Sequence, residues 1–126
     1  MLISYSASMP SVLVTGGLGT VGTPLVKELR ARGHDVWICD LYHHHDNQYI
    51  RCDIGHFHQL ERLFSKHSFD YVYNLAAEFG RWNGEDYYEN LWQTNAIGTK
   101  HLIRLQEKIG FRLIHFSSSE VYGDYE

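Results

Sequence analysis

Short apolar runs alternate with amphipathic stretches along most of the chain, and polar residues gather where the runs stop. Residues 11–16 (SVLVTG) are apolar and β-branched without alternation, which predicts a strand buried on both faces. A glycine-rich turn follows. Val21, Leu25 and Leu29 then recur at helical spacing, with Gly33 as the stop. Residues 35–40 (DVWICD) predict a second buried strand. Residues 56–67 put Phe57, Leu60 and Phe64 on one helical face, and 71–77 (YVYNLAA) predict a third strand. From about Glu85 to Ile109, the residues Leu91, Asn95, Gly98, Leu102, Leu105 and Ile109 are spaced by fours and threes. That spacing draws one stripe along a long helix, ended by Gly110. Residues 112–117 (RLIHFS) predict a fourth strand.

The succession β-α-β-α-β-α-β implies an α/β fold with a parallel sheet covered on both faces. Right-handed crossovers make it a doubly wound, Rossmann-type sheet, here its N-terminal portion with strand order 3-2-1-4. Residues 1–126 suffice for one domain with one core. In that order the fourth strand lies beside the first. The polar cluster at 117–123 (SSSEVYG) then leaves the carboxyl end of a strand at the crevice where such sheets bind ligands.

Charge and composition narrow the partners. A net charge of −4 argues against nucleic acid and anionic membranes. No apolar run approaches a membrane span. The opening MLISYSASMP has neither a basic start nor a sustained apolar core, so it reads as a frayed leader and not a signal peptide. Cys39 and Cys52 stand in neither metal-ligand nor redox spacing, which fits a reducing, cytoplasmic compartment. His43, His44 and His45 are consecutive, so they point in different directions; a polar loop is expected there and no metal.

The turn TGGLGTVG (15–22) lies between a strand and a helix. It satisfies G-x-G-x-x-G at Gly17, Gly19 and Gly22, and G-x-x-G-x-x-G at Gly16, Gly19 and Gly22. Glycines let the backbone turn tightly and approach a pyrophosphate, and the helix N-terminus offers it unpaired N–H groups. Asp40 ends the second strand at the separation expected of a ribose-binding acid. Its charge would repel a 2′-phosphate, which predicts NAD over NADP. The plainer alternatives are a turn that only packs helix on sheet, and an aspartate that only caps a turn.

Five segments, TGGLGTVG, CDL (39–41), CDI (52–54), NLAA (74–77) with TNAIGT (94–99), and SSSEVYG, together resemble the N-terminal part of the extended short-chain dehydrogenases/reductases. Within that group they resemble the NAD-dependent epimerase/dehydratase family acting on nucleotide sugars. The resemblance implies that Gly16, Gly19, Thr20, Val21 and Gly22 form the pyrophosphate loop, and that Asp40 and Leu41 meet the adenosine ribose. It implies that Asp53 and Ile54 meet the adenine, that Leu75, Ala76 and Ala77 pass under the cofactor, and that Asn95 and Ser117 brace it. Thr20 stands where the family usually has an aromatic residue, and Asn74 where it commonly has histidine. Ser118, four residues before Tyr122, would bond the sugar C4 oxygen. Glu120 resembles the carboxylate of sugar dehydratases and UDP-glucuronate decarboxylases, which would remove the C5 proton of a 4-keto intermediate. The loop 78–90 maps to no one substrate, and its Arg81 reads as solvated.

No tyrosine here has lysine four residues later, so the family's tyrosine–lysine pair is expected outside this sequence. The chain then reads as the cofactor-binding part of a longer enzyme, inactive alone. In full that enzyme would be a homodimer acting on a nucleotide sugar by transient C4 oxidation, as a 4,6-dehydratase, decarboxylase or epimerase. The alternative is a non-catalytic NAD(P)-binding sensor or interaction module.

Overall fold

The computed structural model describes residues 9–78 and 88–123, with the side chain of Glu120 outside that set. Arg81 and the start of the long helix also lie outside the described residues, as do residues 1–8 of the leader.

Five parallel strands form one sheet: β1 Ser11–Thr15, β2 Asp35–Asp40, β3 Tyr49–Arg51, β4 Tyr71–Asn74 and β5 Arg112–His115. Their order is β3-β2-β1-β4-β5. The first four strands do run 3-2-1-4, but the third of them, β3, is a strand the sequence pattern missed. Three residues, two of them half-buried, carry no measurable periodicity. Counting β3 shifts the rest. Residues 71–74 pair with β1, and residues 112–115 pair with β4. The polar cluster after β5 therefore leaves the sheet one strand away from β1, not beside it.

The helices are α1 Gly22–Ala31, α2 Phe57–Lys66, α3 Tyr88–Leu91 and α4 Thr99–Ile109, with a π-helical segment Trp92–Gly98 joining α3 to α4. Residues alternate in facing along β1, and this divides the interior in two. Val12 and Val14 pack with Val36, Ile38 and the α1 residues Val26 and Leu29. Leu13 packs on the other face with Val72, Leu60 and Leu63 of α2, and Leu102 and Leu105 of α4. Helices on both faces make the sheet doubly wound. On α1 the inward positions are Gly22, Val26 and Leu29, while Val21 is 54% exposed. Ile109 is likewise 48% exposed, so the buried stripe of α4 ends at Leu105.

Candidate functional site

β1 stops at Thr15 because Gly16 takes a φ of +65°, a conformation that favours glycine. The loop is folded back on itself. Gly16 N–H donates to the Cys39 carbonyl at 2.9 Å, Gly19 N–H to the Gly16 carbonyl at 3.1 Å, and Thr23 N–H to the Gly19 carbonyl at 3.0 Å. A Cβ on Gly22 would sit 2.5 Å from the Gly16 carbonyl oxygen, and one on Gly16 would sit 2.8 Å from the Ala76 nitrogen. Only glycine fits either place. α1 then opens with no acidic residue in its first turn and no side-chain cap at Val21. Thr23 N–H is taken by the Gly19 carbonyl, Leu25 N–H by the Val21 carbonyl at 3.3 Å, and Pro24 has none, so what α1 offers an external anion is chiefly the positive end of its dipole. Thr20 and Val21 are exposed on the loop.

A cavity of about 320 Å³ lies at the carboxyl ends of β1, β2 and β4. Gly16, Gly19, Asp40 and Leu41 form one side, Asp53 and Ile54 another, and Leu75, Ala76 and Ala77 a third. Nine of the sequence-predicted residues thus meet around one space. Thr20, Val21, Gly22, Asn95 and Ser117 lie outside the lining.

Asp40 does two things. Its Oδ2 accepts the Leu18 N–H at 3.0 Å and its Oδ1 the Leu41 N–H at 2.8 Å, which fixes the carboxylate beside the glycine loop. Each oxygen keeps a further acceptor position for a ribose hydroxyl. The turn-capping role and the ligand role are therefore compatible. Asp53 behaves alike: Oδ1 accepts the Gly55 N–H at 2.9 Å, holding the turn that presents Ile54. Ile54 is itself locked by Gly98, where a Cβ would lie 2.6 Å from Ile54 Cγ1.

Beneath the cavity runs a polar row that sequence reasoning met only in part. Thr15 and Asn74 are register partners and both essentially fully buried. Thr15 Oγ1 donates to Asn74 Oδ1 at 2.6 Å and accepts the Ala76 N–H at 3.2 Å. Asn74 Nδ2 donates to Thr99 Oγ1 at 3.4 Å and lies 3.2 Å from His115 Nδ1. Thr99 Oγ1 donates to the Asn95 carbonyl at 2.7 Å. The Asn95 side chain accepts the Glu78 N–H at 2.8 Å and donates to the Glu78 carbonyl at 3.1 Å. Asn95 is a satisfied amide that clamps the chain as it leaves β4, and it acts on the cavity through Glu78.

Ser117 and Ser118 follow β5 and are exposed; the Ser118 carbonyl accepts the Val121 N–H at 3.3 Å, opening a 3₁₀ turn over Ser119–Tyr122. Neither serine lines the cavity. Glu120 stands in that turn.

Residues 12–126 match the NAD dependent epimerase/dehydratase family. The chain belongs to that family. It is 33% identical over 122 residues to UDP-glucuronic acid decarboxylase 1 of Danio rerio, covering 91% of this chain and 29% of that protein. The fold of Pal from Bacillus thuringiensis superposes with a TM-score of 0.84 at 28% identity, over 92% of this chain and 41% of that one. A UDP-glucose 4-epimerase from Stenotrophomonas maltophila, solved with bound NAD and formylated UDP-arabinopyranose, superposes with a TM-score of 0.80 at 26% identity, over 93% and 39%. The chain spans less than half the length of each.

The family is NAD-dependent, and the residues around the cavity fit a dinucleotide: a glycine cradle that a Cβ would fill, the positive end of the α1 dipole and two fixed carboxylates. Leu18, Tyr42, Glu78 and Thr94 also line the cavity and were not anticipated. Leu18 lies inside the glycine motif and Tyr42 follows Asp40, so adjacency alone could have flagged them. Thr94 reaches the cavity from the π-helical segment, which no 3.6-residue pattern reveals.

Cys39 and Cys52 complete the lining. The neighbouring Cys52, then burial, pushes the Cys39 thiol well above its ordinary value, while the neighbouring Cys39 pulls Cys52 down. The histidine loop sits apart. His43 lies 3.5 Å from an Arg51 Nη and His44 packs edge-on against Tyr49. No helix of the described residues is long and apolar enough to cross a membrane.

Proposed function

We propose that this chain binds NAD and serves as the cofactor-binding part of an enzyme that modifies a nucleotide sugar by transient oxidation at C4. The observation that carries this reading is the convergence of the glycine loop, Asp40, Asp53–Ile54 and Leu75–Ala77 on one cavity at the open end of α1. Bound there, NAD would accept a hydride and return it. Gly16, Gly19, Thr20, Val21 and Gly22 would hold the pyrophosphate. Asp40 with Leu41 would hold the ribose, and Asp53 with Ile54 the adenine. Leu75, Ala76 and Ala77 would let the dinucleotide lie close to the sheet. Asn95 and Ser117 would brace that surface. The negative charge of Asp40 favours NAD over NADP.

Ser118 would hydrogen-bond the sugar C4 oxygen as C4 gives up hydride, and the hydroxyl proton would pass to a base outside this sequence. Glu120 would then take the C5 proton that the new ketone acidifies. A C4 ketone also lies β to a carboxylate carried on C5, so the same oxidation prepares a glucuronate to lose CO₂. The likeness to UDP-glucuronic acid decarboxylases and the Ser-Ser-Glu sequence at 118–120 favour dehydration or decarboxylation over epimerisation. In this reading residues 1–126 alone bind cofactor but do not turn over sugar, and the full enzyme is a homodimer in the cytoplasm.

The test is to read the frame past Glu126 to its stop codon and assay that protein with NAD and UDP-glucuronate, UDP-glucose or UDP-galactose. A tyrosine–lysine pair within about thirty residues and a 4-keto or decarboxylated product support the enzyme. NAD binding with no turnover of any sugar, and no such pair, overturns it in favour of a dinucleotide-sensing module.

A further inference from the structure

Two sulfur atoms in the cavity wall have no part in the proposed chemistry. Cys39 is fully buried and Cys52 is 3% exposed, both are free thiols, and both border the cavity. Cys39 is the register partner of Ile50. Cys52, two residues beyond Ile50, faces the same side of the sheet. It lies just past the end of β3, held by its N–H to the Asp40 carbonyl at 3.0 Å. Both belong to one buried cluster, and each is the first influence on the other's titration. The next two residues are Asp53 and Ile54, which border the same cavity.

We propose that Cys39 and Cys52 form an oxidisable dithiol in the wall of the dinucleotide cavity, a modification site for peroxide-class oxidants whose closure to a disulfide excludes the cofactor. The exclusion rests on the cavity being the NAD site; the disulfide does not. Cys52 is the more acidic thiol and attacks first. Its sulfur bonds to one peroxide oxygen, the O–O bond breaks, and the other oxygen leaves as water, giving a sulfenic acid. The Cys39 sulfur then displaces that oxygen as a second water and forms the S–S bond. Two thiols lose two electrons and two protons, and one hydrogen peroxide becomes two waters. A disulfide of about 2.05 Å is much shorter than a thiol–thiol contact. Closure therefore draws Cys52 toward β2 and drags the Asp53–Ile54 turn out of position. NAD bound in that cavity would lie against the wall the two cysteines border and slow the oxidant.

The test treats the reduced chain with hydrogen peroxide, with and without saturating NAD, and follows intact mass. Trypsin places the two cysteines in separate peptides, 33–51 and 52–62. The expected result is a loss of about 2 Da, a cross-linked peptide pair, slower reaction with NAD, and at least tenfold weaker NAD binding after oxidation. Cys39→Ala removes the neighbour that lowers Cys52, so a dimedone-reactive sulfenic acid should form there more slowly and advance no further. Two thiols that stay free, or over-oxidise singly without the 2 Da loss, overturn the proposal. If the disulfide forms and oxidised and reduced protein bind NAD equally, exclusion is refuted while the functional reading stands. If the reduced protein binds no NAD, the functional reading fails, and with it the exclusion, while the cross-link remains.

Discussion

Asp40 tests the ribose contact by its charge. Asp40→Asn keeps the shape but loses the anion and one of the two acceptors that the Leu18 and Leu41 N–H groups use. NAD affinity should fall about tenfold, the worth of one charge-assisted hydrogen bond, and NADP should bind comparably; titration of both nucleotides checks it. Asp46 tests the neighbouring loop. Arg30 grips its carboxylate with two nitrogens, at 2.7 and 3.1 Å, and the Gln48 N–H adds a third bond. The Arg30 bond, then that of Gln48, hold the Asp46 carboxyl below its usual value. A depressed carboxylate stabilises the fold above its unfolded pKa of about 3.9. That contribution is lost as pH falls through the folded value. Asp46→Asn should therefore cost about 1 kcal/mol at pH 7, and the gap to wild type should close in acid. Urea unfolding at pH 7 and pH 3 measures both.

At the scale of elements, the π-helical segment and the Asp53–Gly55 turn act as one unit. Gln93 Nε2 donates to the Gly55 carbonyl at 2.6 Å, and Gly98 leaves room for Ile54. Gly98→Ala should force Ile54 aside, cost about 1–3 kcal/mol by overpacking, and loosen adenine-containing ligands more than nicotinamide mononucleotide; thermal melts and competition binding separate the two effects. The same region marks where the sequence stopped being readable. β1, β2 and α2 were legible because long apolar runs and a clean helical face leave little choice. β3 was not, since three residues cannot express a period. The long helix was read as regular, but tertiary contacts with Ile54 and Gly55 override local propensity there. Asn95 was placed on the helical stripe, yet its partner, the Glu78 backbone, is a tertiary fact. The glycine loop and Asp40 were legible because their chemistry demands particular residues at fixed separations. Cys39 and Cys52 were not seen as a pair, because only strand register brings positions thirteen apart in sequence together.

For the whole molecule, the sheet supplies a crevice at the carboxyl ends of β1, β2 and β4, and the functional account depends on a dinucleotide lying there. A ¹⁵N-labelled chain of 14.7 kDa suits direct mapping of amide shifts during titration with NAD. The account predicts saturable shifts concentrated at residues 16–23, 40–42, 52–55 and 75–78, with smaller responses to NADP. Shifts centred on the histidine loop at 43–48, or no saturable change at millimolar NAD in a chain whose spectrum shows it folded, would contradict it.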